Sequence, residues 1–510
     1  MSDELLSPLI GSSLRVQNRE QLDEFLERPD AADVVKTASF EEVFFTVKHV
    51  GLADSMELLP LITAKQVRGF IDLDCWRKDA FVRKPFMEWV TAFIQAGPEE
   101  TVRALSGIDD LVIALFLKDL VHIYEVDRDD PPEGTQMIFT PDNRFAVEPI
   151  EDGEPTTIGM LILDALFKYY PALGSRILTS VRYTTQTELE ETAFQNKTRR
   201  LEVHGFVDYF EAMSIYTGPE PKETHAAADK EPNVEAILGE EIPGSLPALF
   251  ADSLLGGKFL MKTFEQVTDP TEADRLAEQL TALGNRILSA NLVDLGELEG
   301  VRPALEEMRD FLTIGLEHLT GGRPELGPGV LKKNYMQTIF KIGFDQVARL
   351  RDHASQLVLI PGFKIEMLDA DDREFVEGLR RFKPFLFVAK GLRSFQSLAD
   401  VELARARLIA LHAMIEAFVE SFGSIQQTLS RTFNTATVRF AIDGKFEPAP
   451  IGAAELETWL SGGFRLPSID VPPAIRSYAE RWWQELREEL EPLAGKKIDP
   501  RFIATLVVTS

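Results

Sequence analysis

The chain has 510 residues, of which 45% are hydrophobic and 27% are charged, and this composition excludes fibrous and wholly disordered proteins. The formal net charge of −28 argues against general binding of nucleic acid or of anionic membranes, because an acidic surface repels polyphosphates. The single cysteine excludes intramolecular disulfides and zinc sites built from paired cysteines.

The sequence gives no sign of membrane insertion or export. It has no run of about eighteen apolar residues, which a spanning helix requires. The N-terminus, MSDELLSPLIGSS, lacks the basic segment and the apolar core of a signal peptide. We therefore expect a soluble protein of the reducing cytoplasm.

Short helices are predicted in quick succession between residues 39 and 124. The first opens at Ser39, has Glu42 in the capping-box position and ends at Gly51. The last, IDDLVIALFLKDLVHIYE, is apolar almost all round, so we expect a buried helix with His122 as a core histidine. Short helices separated by short breaks are typical of stacked helix pairs, so the sequence predicts a superhelical, repeat-like domain.

This alternation of short leucine-rich helices and acidic caps over residues 40–125 resembles the cytoplasmic N-terminal domain of bacterial magnesium transporters. It is also similar to the related helical module of flagellar switch proteins. The transporters' membrane helices have no counterpart in this sequence, so the resemblance implies a helical module and does not imply transport.

Small β elements are predicted at two further places. TQMIFTPDNRFAVEPI (135–150) has two β-rich runs on either side of a Pro-Asp-Asn turn. ATVRFAIDGKFEPAP (436–450) contains Asp443–Gly444, a typical two-residue hairpin turn. The C-terminal TLVVTS (505–510) could add a strand.

The composition changes at residues 217–245, which are rich in Pro, Glu, Lys, Ala and Gly and predict a flexible linker. Long amphipathic segments follow, typical of a helical bundle. The predicted fold is mainly α, with a superhelical N-terminal domain, a C-terminal bundle and small β-hairpins. The predicted divisions are the N-terminal helical-repeat-like domain (1–134), a hairpin and helices continuing that half (135–216), the linker (217–245), the bundle (246–435), and a hairpin with a C-terminal helix (436–510).

Several stretches along the chain resemble a large uncharacterised bacterial family of acidic helical proteins. The matching stretches are LDCWRKD, GFVDYFEAMSIY, IFKIGFDQVARLR, RRFKPFLF and RSFQSLADVELA. They are spread over most of the chain. The resemblance implies no activity, no cofactor and no catalytic residue.

Motifs of familiar chemistries are missing from the sequence. LLGGKFLMKT (254–263) lacks the first glycine and the hydroxyl residue of a phosphate-binding loop. The seven histidines form no spaced pair that would ligate a metal. In LDADDRE (368–374), Asp371 and Glu374 predict a helix-capping box, although a weak divalent-ion site stays open. We predict no catalytic residue, no metal and no cofactor.

The stretch FIDLDCWRKDAF (70–81) contains Cys75, the only cysteine, and looks like an active site. The neighbouring acids Asp72 and Asp74 should raise the pKa of the thiol, which opposes thiolate chemistry, although nearby basic residues act the other way. The basic cluster NKTRR (196–200) is predicted to be a solvated helix face or a helix C-terminus.

We therefore predict that FIDLDCWRKDAF is a turn between two helices. The first helix is expected to end near Asp72 and the second to start near Lys84–Pro85, where a proline suits the first turn. In this interpretation Asp74 or Asp79 caps a helix. Trp76 fills the seam between the helices, and its neighbour, the arginine at position 77, pairs with the acids.

Binding is a better expectation than catalysis, because a helical repeat domain presents a concave surface suited to another protein. Tryptophan and arginine dominate binding hot spots, so the candidate binding residues are Trp76, Arg77, Trp482 and Trp483. A core position is the alternative for each tryptophan. The predicted function is a cytoplasmic protein-binding scaffold or regulatory protein. The alternatives are an enzyme of unrecognised type with a pocket between the helical halves, or a structural subunit of a larger assembly.

Overall fold

The computed structural model describes most of the chain, and it divides into two compact units, residues 1–342 and 343–510. The described residues are 14, 16, 18–129, 137–219, 258–423, 427–462, 466–467, 469–493 and 500–509. Helices dominate both units and the sheets are small and antiparallel, which confirms the mainly α fold with small hairpins. Among the described residues, no helix has both the length and the apolar character needed to cross a membrane.

Two predictions on organisation remain predictions. Most of the expected linker, 217–245, lies outside the described residues, and the division into domains stays as the sequence suggests it. The superhelical arrangement of the N-terminal helices also remains a prediction.

The first unit begins with closely spaced helices and a two-stranded hairpin. The helices are α1 (Arg19–Leu26), α2 (Ala31–Thr37), α3 (Phe40–Val50), α4 (Ala64–Asp74), α5 (Arg83–Ala96), α6 (Pro98–Gly107) and α7 (Asp110–Leu117), with a 3-10 segment at Ala53–Leu61. The hairpin is formed by β1 (Trp76–Arg77) and β2 (Ala80–Phe81). The predicted cap of α3 is confirmed, because the Ser39 hydroxyl accepts a hydrogen bond from the backbone N–H of Glu42.

The prediction of one long buried helix over residues 108–125 is wrong. Helix α7 ends at Leu117, and β3 (Val121–Glu125) follows, antiparallel to β5 (Phe145–Pro149). The residues of β3 alternate between the core and the surface, which is the two-residue period of a strand. His122 lies on the exposed side of β3, so the expectation of a core histidine is also wrong.

The hairpin predicted in residues 135–150 is confirmed. Strand β4 (Ile138–Phe139) pairs antiparallel with β5, and the sheet order is β3–β5–β4. Asn143 adopts a positive φ of 55° in the connecting turn, a conformation that asparagine tolerates better than most residues. The strand β4 is therefore the outer strand on one side of this sheet.

The rest of the first unit is helical. Its helices are α8 (Glu154–Tyr169), α9 (Pro171–Tyr183), α10 (Gln186–Glu202), α11 (Tyr209–Met213), α12 (Lys258–Phe264), α13 (Pro270–Ala290), α14 (Val301–Thr320), α15 (Gly327–Lys333) and the start of α16 (Met336–Leu357), with 3-10 turns at Ser214–Tyr216, Leu298–Gly300 and Pro324–Leu326. Helices α14 and α16 approach closely at Gly315, where an added Cβ would lie 2.1 Å from the carbonyl oxygen of Ile339. Only glycine fits this contact.

The second unit contains the remainder of α16 and six further helices among the described residues. These are α17 (Ala370–Leu379), α18 (Leu398–Phe422), α19 (Leu429–Asp443), α20 (Ala453–Ser461), α21 (Pro473–Leu490) and α22 (Pro500–Leu506), with 3-10 turns at Ile365–Met367 and Glu491–Leu493. The strands β6 (Leu386–Val388) and β7 (Gly391–Arg393) form an antiparallel hairpin.

The prediction of a hairpin in residues 436–450 is wrong. Most of the predicted first strand belongs to helix α19, and Gly444 ends that helix in a left-handed conformation with φ 78°. A glycine after a helix and a glycine in a hairpin turn both need positive φ, so the dipeptide does not distinguish them. In the C-terminal TLVVTS, Thr505 and Leu506 end helix α22, and Thr509 makes an isolated parallel bridge to Ile451.

The predicted capping box at Asp371 and Glu374 is also wrong. Helix α17 begins at Ala370 with Asp369 as its N-cap residue, so Asp371 lies in the first turn. The Asp369 carboxylate does not cap the helix, because its Oδ2 atom accepts a hydrogen bond from the Trp482 indole at 2.8 Å. The hydrogen bond from Trp482 to Asp369 thus takes the place of a hydrogen bond from Asp369 to the first turn of its own helix.

Candidate binding site around Trp76

The stretch FIDLDCWRKDAF contains the end of one helix and the connection to the next, so the predicted connection between two helices is confirmed from Cys75 onward. Helix α4 ends at Asp74, the β1–β2 hairpin follows, and α5 begins at Arg83. Lys78 takes a positive φ of 58° at the tip of the hairpin. The capping role expected for Asp74 or Asp79 is wrong, because the N-cap residue of α5 is Val82 and no side chain caps it.

Asp74 is instead a buried acceptor inside the first unit. Its Oδ2 atom accepts hydrogen bonds from the Trp89 indole at 2.8 Å and from the Lys48 ammonium at 3.1 Å. The carboxylate is thereby charge-balanced and hydrogen-bonded, which is what burial of a charge requires. Asp74 fixes α4 to α3 and α5.

A second buried carboxylate, Asp72, is held by Arg200 from helix α10. Arg200 Nε and Nη2 donate to the two oxygens of Asp72 at 2.7 and 2.8 Å, and Nη1 donates to Asp109 Oδ2 at 2.7 Å. Burial raises the pKa of Asp72, and the guanidinium of Arg200 acts against that rise. One arginine therefore joins α4, α10 and the residue that caps α7.

Cys75 is fully buried, and the charges of both carboxylates act on its thiol. Burial, followed by the charges of Asp74 and Asp72, raises the pKa of the thiol well above its ordinary value. This is the direction that the sequence predicts. A buried neutral thiol is a poor nucleophile, so Cys75 is a packing residue here.

Trp76 lies inside the protein, with 5% of its surface exposed. Its ring packs against Phe81 from β2 and Phe194 from α10, at centroid distances of 5.6 and 5.8 Å. The indole N–H is buried and has no hydrogen-bond partner among the described residues. Trp76 therefore fills the seam as predicted, and it also carries an unsatisfied donor.

Lys197 lies next to this indole on helix α10. Its Nζ atom is 5.8 Å from the centroid of the Trp76 ring and 5.1 Å from that of Phe194. Burial lowers the pKa of Lys197 to about 8, the charge of Asp72 raises it, and that of Arg200 lowers it further. Lys197 and Arg200 face the protein, so a solvated helix face is wrong for these two residues. The alternative, a helix C-terminus, is confirmed, because Arg199 and Arg200 lie in the last turn of α10.

Arg77 points away from the seam and reaches the loop after α13. Its Nε atom forms an ion pair with Asp294 Oδ2 at 2.5 Å, and Nη1 donates to the carbonyl of Asp74 at 2.9 Å. The acid that pairs with Arg77 thus comes from a distant segment of the chain. Beside it lies a cavity of about 410 Å³ whose polar lining includes Asp294, Glu297 and Glu307.

The other predicted binding residues lie in the second unit. Trp482 is 1% exposed and packs against Phe418 and Phe433, so it is a core residue. Trp483 is half-buried, and its indole donates to the carbonyl of Pro467 at 3.2 Å. The pairs at positions 76–77 and 482–483 therefore belong to different units, and only the second residue of each pair offers surface to a partner.

The site residues that sequence reasoning missed come from helix α10. Phe194, Lys197 and Arg200 are spaced by three, so they follow one side of the helix. An aromatic residue in this row was the available signal that the basic residues face inward. Their partner Asp72 is 128 positions away from Arg200, and nothing local indicates that pairing.

Metal chemistry finds no support in the part of the chain that the structure describes. No group of three or more His, Cys, Asp or Glu side chains there is placed to hold a metal ion. His353 Nε2 and His412 Nδ1 lie 3.3 Å apart in the second unit, where one ring donates to the other. These two histidines alone do not make a metal site.

The fold and the site define a mainly helical protein in which a buried Asp72–Arg200 ion pair acts on a lysine that contacts two aromatic rings. The chain belongs to the Family of unknown function (DUF6178), whose sequence model matches residues 6–471. The resemblance to a large uncharacterised family is thereby confirmed. No curated protein and no solved structure matches the chain, and the resemblance to magnesium-transporter domains has no support.

Proposed function

We propose that the protein is a cytoplasmic scaffold or regulatory protein that binds an extended segment of another protein at strand β4. The observation that carries this proposal is the exposure of Ile138 and Phe139, which are 52% and 53% accessible on an outer strand. Outer strands present unpaired backbone groups, and natural proteins usually protect them with charges or prolines. Two large apolar residues on such a strand favour addition of a further strand from a partner.

The strand β4 is held in a fixed conformation. Its partners across the sheet, Val147 and Ala146, are buried. The turn after it is fastened by Thr140, whose hydroxyl donates to Asp142 at 2.6 Å and accepts from the Phe145 N–H at 3.0 Å. A preformed edge lowers the entropic cost of binding, because only the partner has to become ordered.

Charge indicates the chemistry of the partner. The chain carries a formal net charge of −28, so its field attracts basic segments and repels acidic ones. We therefore expect an extended, basic segment with two adjacent apolar residues, one on each face of the added strand, which would contact Ile138 and Phe139.

The test places a photo-crosslinking amino acid at Phe139 and, as a matched control, at Phe210, an exposed aromatic residue of the same unit. Crosslinking in cells followed by mass spectrometry should give one dominant adduct at position 139 that is absent at 210. The adduct should map to a basic segment of the partner. Purified partner should then bind the wild type at least tenfold more tightly than Phe139→Lys.

Two results would contradict the proposal. One is equal or absent crosslinking at positions 139 and 210. The other is an affinity of Phe139→Lys for the purified partner that equals that of the wild type, with Phe210→Lys as the control for added charge.

A further inference from the structure

Two hydrogen-bond donors at the Trp76 site lack an acceptor. The Trp76 indole N–H is buried without a partner, although buried donors in native proteins are nearly always paired. The Lys197 ammonium makes contacts with aromatic rings, and no ion pair or hydrogen bond to it occurs among the described residues. Both donors belong to the same aromatic cluster, since Lys197 Nζ lies over the Trp76 ring.

The nearest acidic residue does not satisfy Lys197. Asp72 attracts its charge, yet both carboxylate oxygens of Asp72 are taken by the guanidinium of Arg200 at 2.7 and 2.8 Å. Lys197 is half-buried, so solvent reaches its end of the site. The structure thus holds a cation and an unpaired N–H in one aromatic cluster. The N–H itself is closed to solvent, so an acceptor from outside has to reach it past Lys197.

We propose that Trp76 Nε1 and Lys197 Nζ bind the carboxylate of a small monoanionic ligand. A carboxylate has two oxygens for the two donors, and the ammonium supplies one compensating charge. A phosphate dianion is disfavoured, because its second charge would meet Asp72 without a further cation. The rings of Trp76, Phe81 and Phe194 favour an apolar or aromatic body behind the carboxylate.

The same geometry makes binding depend on pH. The charged groups that act on Lys197 are Asp72 on α4 and Arg200 on α10, and these two are joined in one ion pair. A bound carboxylate favours the ammonium form, so affinity is constant below the pKa of the free site, about 8, and falls above it. Between pH 7 and pH 9.5 the affinity should fall about 30-fold.

The experiment uses the full chain labelled with ¹⁵N at its five tryptophan residues. Sodium acetate and sodium benzoate are the probes, with sodium chloride at equal ionic strength as the control. The indole signal that disappears in Trp76→Phe should shift and saturate with either carboxylate at pH 7, and benzoate should bind more tightly. The response should weaken about 30-fold at pH 9.5.

Substitutions at Lys197 complete the test. Lys197→Met should abolish the saturable shift, while Lys65→Met, an exposed lysine of α4, should retain it. Lys197→Arg should keep binding and lose the decline at high pH, because arginine does not titrate in this range. Unchanged signals of the other four indoles show that each variant is folded.

The proposal is overturned if neither carboxylate gives a saturable shift of the Trp76 signal. It is equally overturned if chloride gives the same shift, or if folded Lys197→Met responds like the wild type. Should Lys197→Met fail to fold, a pH dependence in Lys197→Arg equal to that of the wild type would exclude the role of this amine.

Discussion

Replacing Arg200 with methionine tests the buried ion pairs that hold the first unit together. Arg200 makes three hydrogen bonds of 2.7–2.8 Å to the carboxylates of Asp72 and Asp109, which are almost wholly buried. Methionine fills much of the volume but removes all three hydrogen bonds that the guanidinium donates to the two carboxylates. Breaking a buried pair in this way costs about 3–5 kcal/mol of unfolding free energy.

The expected change in melting temperature follows from the size of the unit. A unit of 342 residues has an unfolding entropy of about 0.7 kcal/mol/K, so the loss corresponds to a decrease of about 4–7 °C. Differential scanning calorimetry measures this shift. Arg199→Met is the matched control, because Arg199 is exposed on the same helix and its replacement should change stability by less than about 0.5 kcal/mol.

The loss of unfolding free energy in Arg200→Met should also depend on pH. The pKa of Asp72 is already raised in the folded protein, and removal of Arg200 takes away a group that opposes the rise. When a carboxyl has a higher pKa in the folded state than in the unfolded state, its ionised form lowers the unfolding free energy. This loss is complete above the folded pKa and disappears once the carboxyl is protonated in both states. The difference between Arg200→Met and the wild type should therefore shrink as the pH is lowered from 7 towards 5. A melting temperature within about 1 °C of the wild type at pH 7 would refute the reasoning.

Three further predictions concern packing and reactivity in the same unit. Gly315→Ala should lower the melting temperature, because its Cβ would lie 2.1 Å from a backbone carbonyl oxygen of α16. Gly329→Ala is the control, because an added Cβ meets no atom within 4 Å there and should leave the melting temperature unchanged. Equal effects of the two substitutions would contradict this packing. Cys75 should not react with a disulfide reagent at pH 8 in the native protein and should react fully in urea, since it is buried with a raised thiol pKa; reaction of the folded protein would show an accessible thiol. Trp89→Phe should cost about 1–3 kcal/mol in calorimetry, because the buried carboxylate of Asp74 loses an indole donor at 2.8 Å; an unchanged transition would argue against that hydrogen bond.

Local signals in the sequence predicted local features of the fold. Ser39 correctly predicted the start of α3, and Pro141 to Asn143 predicted the turn between β4 and β5. The hydrogen bonds of a helix cap and of a turn are made by neighbouring residues, so both can be read from a short stretch of sequence. Helix composition and spacing likewise identified the mainly α class. These features depend on residues that are close together in the chain, so they can be predicted from the sequence alone.

The errors arise where distant contacts replace local ones. VHIYE continues an apolar helix, yet it pairs with β5, which lies 20 residues further on. Helix α19 contains several β-branched threonines, and their buried hydroxyls are satisfied by carbonyls one turn earlier, as at Thr435 and Thr437. Residue preference alone favours a strand there, and the helix is favoured only once its buried side is packed.

The candidate site shows the same limit more strongly, because its residues come from separate segments. Asp72 and Trp76 were visible in one stretch, while Lys197 and Arg200 lie more than 100 positions away. What makes the site is a division of roles between these two cations. Arg200 donates hydrogen bonds to both oxygens of Asp72. Because that carboxylate is occupied, the Lys197 ammonium has no carboxylate partner among the described residues.

This division of roles links stability to the proposed ligand site. In Arg200→Met, the freed oxygens of Asp72 become the nearest acceptors for Lys197, and the ion pair they form should raise the pKa of the amine. The folded variant should then lose its saturable response to acetate and benzoate at pH 7, although Trp76 and Lys197 are both present. Retention of wild-type binding by Arg200→Met would show that Asp72 does not compete for the lysine, and that the two cations act independently.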